Sequence, residues 1–256
     1  MLTASIALWR VWLELGGIAP KYLAGHSLGE YSALVAAEAM TLADAVKLVH
    51  LRGKLMQSAV PQGTGAMAAI LGLADEKVIE LCQKVNASAA GQGSVEAANY
   101  NAQGQVVIAG STALVQQVMA EAKEQSGKAI ALPVSVPSHC TLMKPAAEKF
   151  AEALEQTAIE LPHLPVIQNV NAEIATDVAQ LRQALTAQLY QSVQWTRTMQ
   201  YLQDEGVQYV VECGPGTVLS NLAKRLPNIE KAFAIDSKAR MEDALNAVLV
   251  AEGKIA

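Results

Sequence analysis

Apolar side chains recur every three to four positions along residues 2–15, and Gly16-Gly17 follows. The stretch predicts an amphipathic helix with a marked end. A short apolar run from Tyr22 to Ala24 predicts a strand over 21–25, and residues 28–39, with Tyr31, Leu34 and Val35 on one face, predict a helix. Thr41 followed by Asp44 has the form of a capping box and opens a helix to about Gln57. The segment "VPQGTG" then breaks the pattern, and the rhythm shortens. "GAMAAILG" reads as a strand and 75–86 as a helix. "SVEAANY" and "QVVIAGS" read as strands joined by Asn101-Ala102-Gln103-Gly104, 112–125 as a helix and "KAIALPVSV" as a strand. Beyond Pro137 the alternation lengthens again. Helices are predicted at 142–157, 178–190 and 196–204, strands at "PVIQNV", "VQYVVEC" and "KAFAID", a Gly214-Pro215-Gly216 turn followed by a helix, and a last helix from about 240.

Alternating strands and helices predict an α/β protein with a mostly parallel sheet covered on both faces. The middle stretch has the order β-α-β-β-α-β, the ferredoxin-like unit. Residues 61–136 therefore read as an inserted subdomain, and 1–60 with 137–256 as the main one. A length of 256 residues with 52% apolar and 17% charged positions suits such a plan.

The formal net charge of −5 argues against a general nucleic-acid binder, which would carry a basic stripe. Three scattered cysteines, Cys82, Cys140 and Cys213, without a C-x-x-C pair, read as reduced thiols of a cytoplasmic protein. Arg10 and Glu14 interrupt the apolar opening, which lacks the pattern of a secretory leader, and no uncharged apolar stretch of membrane-spanning length stands out.

The chemistry concentrates at Gly25-His26-Ser27-Leu28-Gly29. The spacing is G-x-S-x-G between a predicted strand and a predicted helix, the context of a nucleophile elbow. An elbow presents the Ser27 hydroxyl and aims the Leu28 N–H at a developing oxyanion. A glycine-flanked turn with an ordinary capping serine is the plainer alternative. A serine also needs a base. His26 adjoins it and should point away, while His50 lies mid-helix and His163 between prolines, both read as surface or packing residues. His139, in "SVPSHCTLM" after a predicted strand at the subdomain junction, is the candidate base, with a core or capping role as the alternative. No single acid declares itself as its orienting partner, which leaves a backbone carbonyl or an amide. Arg52 falls on the apolar side of its helix, where a guanidinium is costly unless paired. It reads either as part of a structural ion pair or as a fork for a carboxylate, which with Ser27 and His139 suggests transfer of an acidic acyl group. Asn101 reads as the opening of a hairpin turn, and Gly214-Pro215-Gly216 as a tight turn that could receive an anion.

Taken together, "AGHSLGEYSALVAA", "VKLVHLRGKLMQ", "GTGAMAAILGL", "GQVVIAGS", "LPVSVPSHCTLMKPAA", "QLYQSVQW" and "ECGPGTVLSNLAKR" resemble the malonyl-CoA:acyl carrier protein transacylases of bacterial fatty-acid synthesis, in order and at family spacing. The acyltransferase domains of polyketide synthases are the nearest relatives of that family. The resemblance implies an α/β-hydrolase-like core with a ferredoxin-like insert. It also implies a malonyl ester on Ser27, His139 as base and Arg52 on the free carboxylate of malonate. Leu28 N–H would serve as one oxyanion donor, and Gln188 would orient His139 through its main-chain carbonyl. Asn99 and Asn101 would face the pantetheine arm. The implied partners are malonyl-CoA and acyl carrier protein, the implied state is a monomer, and no metal or bound organic cofactor is implied. One departure stands out: the family's Gly-Gln-Gly-x-Gln loop, which supplies a second oxyanion donor, does not precede Ser27. The expectation is an N-terminally shortened chain, and the loss of one donor typically costs about a hundred- to a thousand-fold in turnover. A serine esterase of patatin type, or an impaired copy that only binds carrier protein, are the competing readings.

Overall fold

The computed structural model describes residues 1–255. Helix α1 (Leu2–Glu14) buries Leu2, Ile6 and Trp12 on one side, and Gly16, at φ 84°, lets the chain turn after it. Strand β1 (Leu23–Ala24) leads into α2 (Leu28–Ala36), and α3 (Leu42–Ser58) follows. The Thr41 hydroxyl accepts the Asp44 N–H at 3.1 Å and donates to the Asp44 carboxylate at 2.8 Å, so α3 is capped where its sequence predicts.

The middle of the chain gives β2 (Gly65–Leu71), α4 (Asp75–Ser88), β3 (Val95–Ala102), β4 (Gln105–Ser111), α5 (Thr112–Glu124) and β5 (Lys128–Ala131). The four strands form an antiparallel sheet in the order β3-β4-β2-β5. Strand β4 is buried on both faces. Val106 and Ile108 pack with Val78, Leu81, Val115 and Val118 of α4 and α5. Val107 and Ala109 pack with Met67, Ala98 and Cys140. That second face places the sheet beside the residue that follows His139. Strand β5 ends at Ala131, earlier than the apolar pattern predicts, because Pro133 has no N–H for the ladder. The β3–β4 turn is made by Gln103 and Gly104, the latter at φ 68°. Asn101 accordingly lies inside β3, a correction to its reading as a turn residue.

A short 3₁₀ turn (Thr141–Met143) runs into α6 (Lys144–Gln156). Then come β6 (Val166–Ile167), α7 (Val178–Ala187), α8 (Trp195–Asp204), β7 (Tyr209–Glu212), α9 (Val218–Ala223), β8 (Lys231–Ala234) and α10 (Lys238–Ala251). The alternation predicts one mostly parallel sheet. Among the described residues the parallel strands instead form two separate pairs, β1–β6 and β7–β8. The reason is local. Strand β1 runs straight into the turn at Gly25, and β6 stops at Gln168 and Asn169, whose backbone N–H groups donate to the Glu173 carbonyl and the Glu30 carboxyl rather than to a neighbouring parallel strand. Asn99 of β3 makes an isolated parallel bridge with Val193, which ties the antiparallel sheet to the stretch before α8.

The largest core cluster joins α2, α3, α6 and α7. At its centre the rings of Tyr31 and Phe150, both fully buried, meet edge to face with centroids 6.3 Å apart. Phe150→Ala should destabilise the fold by about 3–5 kcal/mol, measured by urea denaturation. A loss under about 1 kcal/mol would mean this cluster collapses around the cavity.

Candidate active site

The turn at Gly25–Ser27 is dictated by close approach. A Cβ on Gly25 would collide with the Gly29 backbone, so only glycine lets strand β1 meet the start of α2 this tightly. Ser27 is pushed to φ 53°, ψ −110°, a conformation that L-residues avoid. Its N–H donates to Asn169 Oδ1 at 2.6 Å, and its carbonyl accepts from Gln188 Nε2 at 3.0 Å.

The hydroxyl of Ser27 faces two groups. It donates to His139 Nε2 at 2.8 Å and accepts from an Arg52 terminal nitrogen at 3.0 Å. The other ring nitrogen of His139, Nδ1, donates to the Gln188 carbonyl at 2.6 Å, and the His139 N–H donates to the Leu189 carbonyl at 3.0 Å. The Nδ1 bond fixes the tautomer and the ring plane, and the backbone bond anchors the residue. His139, like Ser27, sits at positive φ, 62°. Two non-glycine residues in the left-handed region, held on either side of one hydrogen bond, are backbone strain kept where a site needs it. The Leu28 N–H, first of α2 and next to Ser27 in the chain, has no hydrogen-bond partner among the described residues. An oxyanion could use it.

Arg52 projects from the buried side of α3, 7% exposed. No carboxylate lies within ion-pair distance of it among the described residues. Its terminal nitrogen donates to Ser27 Oγ and to Gln188 Oε1, both at 3.0 Å, and its guanidinium carbon lies 5.9 Å from the centre of the Tyr31 ring. The structural ion-pair reading of Arg52 therefore fails. Burial lowers its pKa from the usual arginine value, against an opposing pull from the neighbouring Tyr31 and Glu30. A buried guanidinium whose hydrogen bonds go only to neutral groups, with the Glu30 carboxyl nearby but outside ion-pair distance, is a ready partner for an incoming carboxylate.

Burial, with the Arg52 charge beside it, lowers the His139 pKa to about 3, against an opposing pull from the Gln188 carbonyl. The imidazole is therefore a free base at ordinary pH. Because the base form exists above the pKa, this depression extends the working range downward. The rate at which a serine-directed reagent labels Ser27 should stay level from about pH 8 to about pH 5 rather than halve near the ordinary histidine value of about 6.5, as read by single-turnover labelling across pH. Stability carries a matching sign. Below about 6.5 the unfolded chain takes a proton that folded His139 refuses, so this contribution to stability falls as pH drops. Glu30 acts the other way. Burial raises its pKa to about 7, so its contribution falls as pH rises from about 4.5 to 7.

The remaining expected residues fall into place as follows. His26 turns away from Ser27, as an elbow neighbour should, and meets Asn101 Oδ1 at 2.8 Å. Asn99 is buried beside Val193. His163 is exposed and pairs with Glu38, and His50 is exposed on α3. The Gly214-Pro215-Gly216 turn is not an open anion site. The Glu212 carboxylate already accepts the Leu219 and Ser220 N–H groups at 3.1 and 2.8 Å, and Gly216 N–H meets Asp236. Sequence reasoning missed three participants: Glu30, Asn169 and the side chain of Gln188.

The acyl transferase domain family model matches residues 1–243. The malonyl CoA-acyl carrier protein transacylase of Salmonella typhimurium is 49% identical over 246 residues, 96% of this chain and 78% of that protein. The chain belongs to the malonyl CoA-acyl carrier protein transacylase family. The family's solved members superpose on it closely. A crystal structure of FabD from Acinetobacter baumannii is 88% identical, with a TM-score of 0.96 over 98% of this chain and 79% of that one. A malonyl-transacylase solved in complex with a type II polyketide acyl-carrier protein is 46% identical, with a TM-score of 0.92 over 96% of this chain and 79% of that one.

Proposed function

We propose that this chain moves a malonyl group from malonyl-CoA to the phosphopantetheine thiol of acyl carrier protein, through an ester on Ser27. One observation carries the reading: a single hydroxyl, Ser27 Oγ, touches both a neutral imidazole nitrogen and a buried guanidinium. In the first half-reaction Oγ attacks the thioester carbon while its proton passes to His139 Nε2. The Leu28 N–H faces the oxyanion. The carbon–sulfur bond breaks, and the CoA sulfur leaves with the proton from His139. In the second half the carrier thiol gives its proton to His139 and attacks the ester, and Ser27 recovers its proton as it departs. Arg52 takes the free carboxylate of malonate, which fixes the reacting carbonyl over Oγ. Gln188 orients His139 through its main-chain carbonyl. Each role falls to a side chain or a backbone group, so the reading invokes no metal and no bound organic cofactor.

The fold supports the same proposal. The antiparallel order β3-β4-β2-β5 with α4 and α5 supports a ferredoxin-like insert at 61–136, and the strand–elbow–helix at Ser27 supports an α/β-hydrolase-like unit at 1–60 and 137–256. We assign the pantetheine arm to the side of the site bounded by the strand that carries Asn99 and Asn101. The buried guanidinium disfavours an esterase for neutral lipids, whose acyl chain would leave it unpaired. The test is transfer itself. Incubation with malonyl-CoA and a phosphopantetheinylated acyl carrier protein should give malonyl-carrier thioester by intact mass. Hydrolysis of malonyl-CoA without carrier acylation would select the hydrolase reading.

A further inference from the structure

Two buried polar residues that hold the Ser27 backbone converge on one oxygen. Ser27 N–H is held by Asn169 Oδ1 and Ser27 C=O by Gln188 Nε2. Glu30 Oε2 accepts the Gln188 Nε2–H at 2.7 Å and the Asn169 backbone N–H at 3.2 Å. The ring Ser27–Asn169–Glu30–Gln188 is thus closed, and Glu30, Asn169 and Gln188 are each at most 2% exposed. We propose that Glu30 is a positioning residue, whose Oε2 locks Asn169 and Gln188 so that they hold Ser27 in its strained, reactive conformation.

The chemistry of each link supports this. A residue at φ 53°, ψ −110° relaxes unless its surroundings over-determine it. Here its N–H and its C=O are held by side chains from two distant segments. Glu30 also decides which way the Gln188 amide faces. With Nε2 drawn to the carboxyl, Oε1 is left for Arg52, whereas the flipped amide would oppose its NH₂ to the guanidinium and a carbonyl to the carboxyl oxygen. The same Gln188 orients His139 through its main chain. Glu30 therefore reaches the Ser27 backbone and Arg52 through one side-chain amide, on the same residue whose main chain holds His139. Its other oxygen, Oε1, is buried and has no hydrogen-bond partner among the described residues. Burial holds the carboxyl's pKa at about 7, and a proton on Oε1 leaves Oε2 an acceptor. An amide in place of the carboxyl offers the same oxygen.

The inference rests on Ser27 being the nucleophile, so its test uses two reagents. A fluorophosphonate probe reports nucleophile alignment alone: Oγ bonds to phosphorus, fluoride leaves, and His139 takes the proton. Malonyl-CoA reports the proposed function. Glu30→Gln should keep probe labelling within about fivefold of the parent, and Glu30→Leu, which keeps volume but lacks the acceptor, should lose about a hundredfold, the size of effect that a small misplacement produces. Asn169→Ala should lose a similar factor. The double variant Glu30→Leu/Asn169→Ala should lose no more than about twice the larger single loss, because both act through one ring. Circular dichroism melts identify folded variants. If Glu30→Leu does not fold, Asn169→Ala and Glu30→Gln decide. A folded Asn169→Ala with parental labelling, a Glu30→Gln as poor as Glu30→Leu, or strictly multiplying losses would overturn the inference. A parent that reacts with the probe but not with malonyl-CoA removes the proposed function and leaves the positioning role standing. A parent inert to both removes both.

Discussion

Ser27→Ala is expected to lower malonyl transfer by about 10⁴-fold or more relative to the parent chain, with binding of malonyl-CoA changed little. Removal of a covalent nucleophile eliminates the two-step route, so the loss falls on turnover rather than on affinity. The fold should tolerate the change. The Asn169 and Gln188 contacts to Ser27 are made by its backbone, and alanine retains both. Only the hydroxyl's bonds to His139 and Arg52 disappear. Steady-state transfer to carrier protein, with affinity for malonyl-CoA from calorimetry, separates the two effects. Transfer within tenfold of the parent would show that another group carries the acyl chain.

Arg52→Ala is the second large effect, and its signature is selectivity. A charged, desolvated hydrogen-bonded pair that loses one partner typically costs about 2–5 kcal/mol, so kcat/KM for malonyl-CoA should fall by about 30- to 5,000-fold. Acetyl-CoA has no carboxylate to lose. Its kcat/KM should fall less, and the malonyl-to-acetyl ratio should shrink by at least about tenfold. Arg52→Lys keeps the charge but not the fork and should lie between the two. The variant also leaves Gln188 Oε1 without its donor, about 1–3 kcal/mol of stability, which a denaturation curve reads separately. Equal losses on both thioesters would place Arg52 in structure rather than in recognition.

Much of this site was legible along the chain because its parts are local. Ser27 is announced by two glycines and a strand–helix change. Arg52 is announced by its phase on an amphipathic helix, and His139 by its place just after the insert. What escaped notice is written in long-range pairs. Asn169 meets Glu30 and Ser27 across sequence separations of 139 and 142, and Gln188 meets Glu30 across 158. No periodicity encodes such pairing. "PVIQNV" reads as a strand because its apolar ends dominate, yet Gln168 and Asn169 carry the polar turn that supports the elbow. Glu30 did leave a trace: an acid adjoining Tyr31 and one turn before Leu34 on a helix whose inner side is otherwise apolar. The single mostly parallel sheet failed for a related reason. The alternation of elements gives the order of strands, whereas their lengths are set by what happens at Gly25 and Gln168.

The most direct measurement is peptide mapping of the chain after brief mixing with malonyl-CoA and acid quench. The account predicts one malonyl group, located on Ser27, released when carrier protein is added before the quench. A malonyl group on any other side chain, or an unmodified chain that nonetheless acylates the carrier, would contradict it.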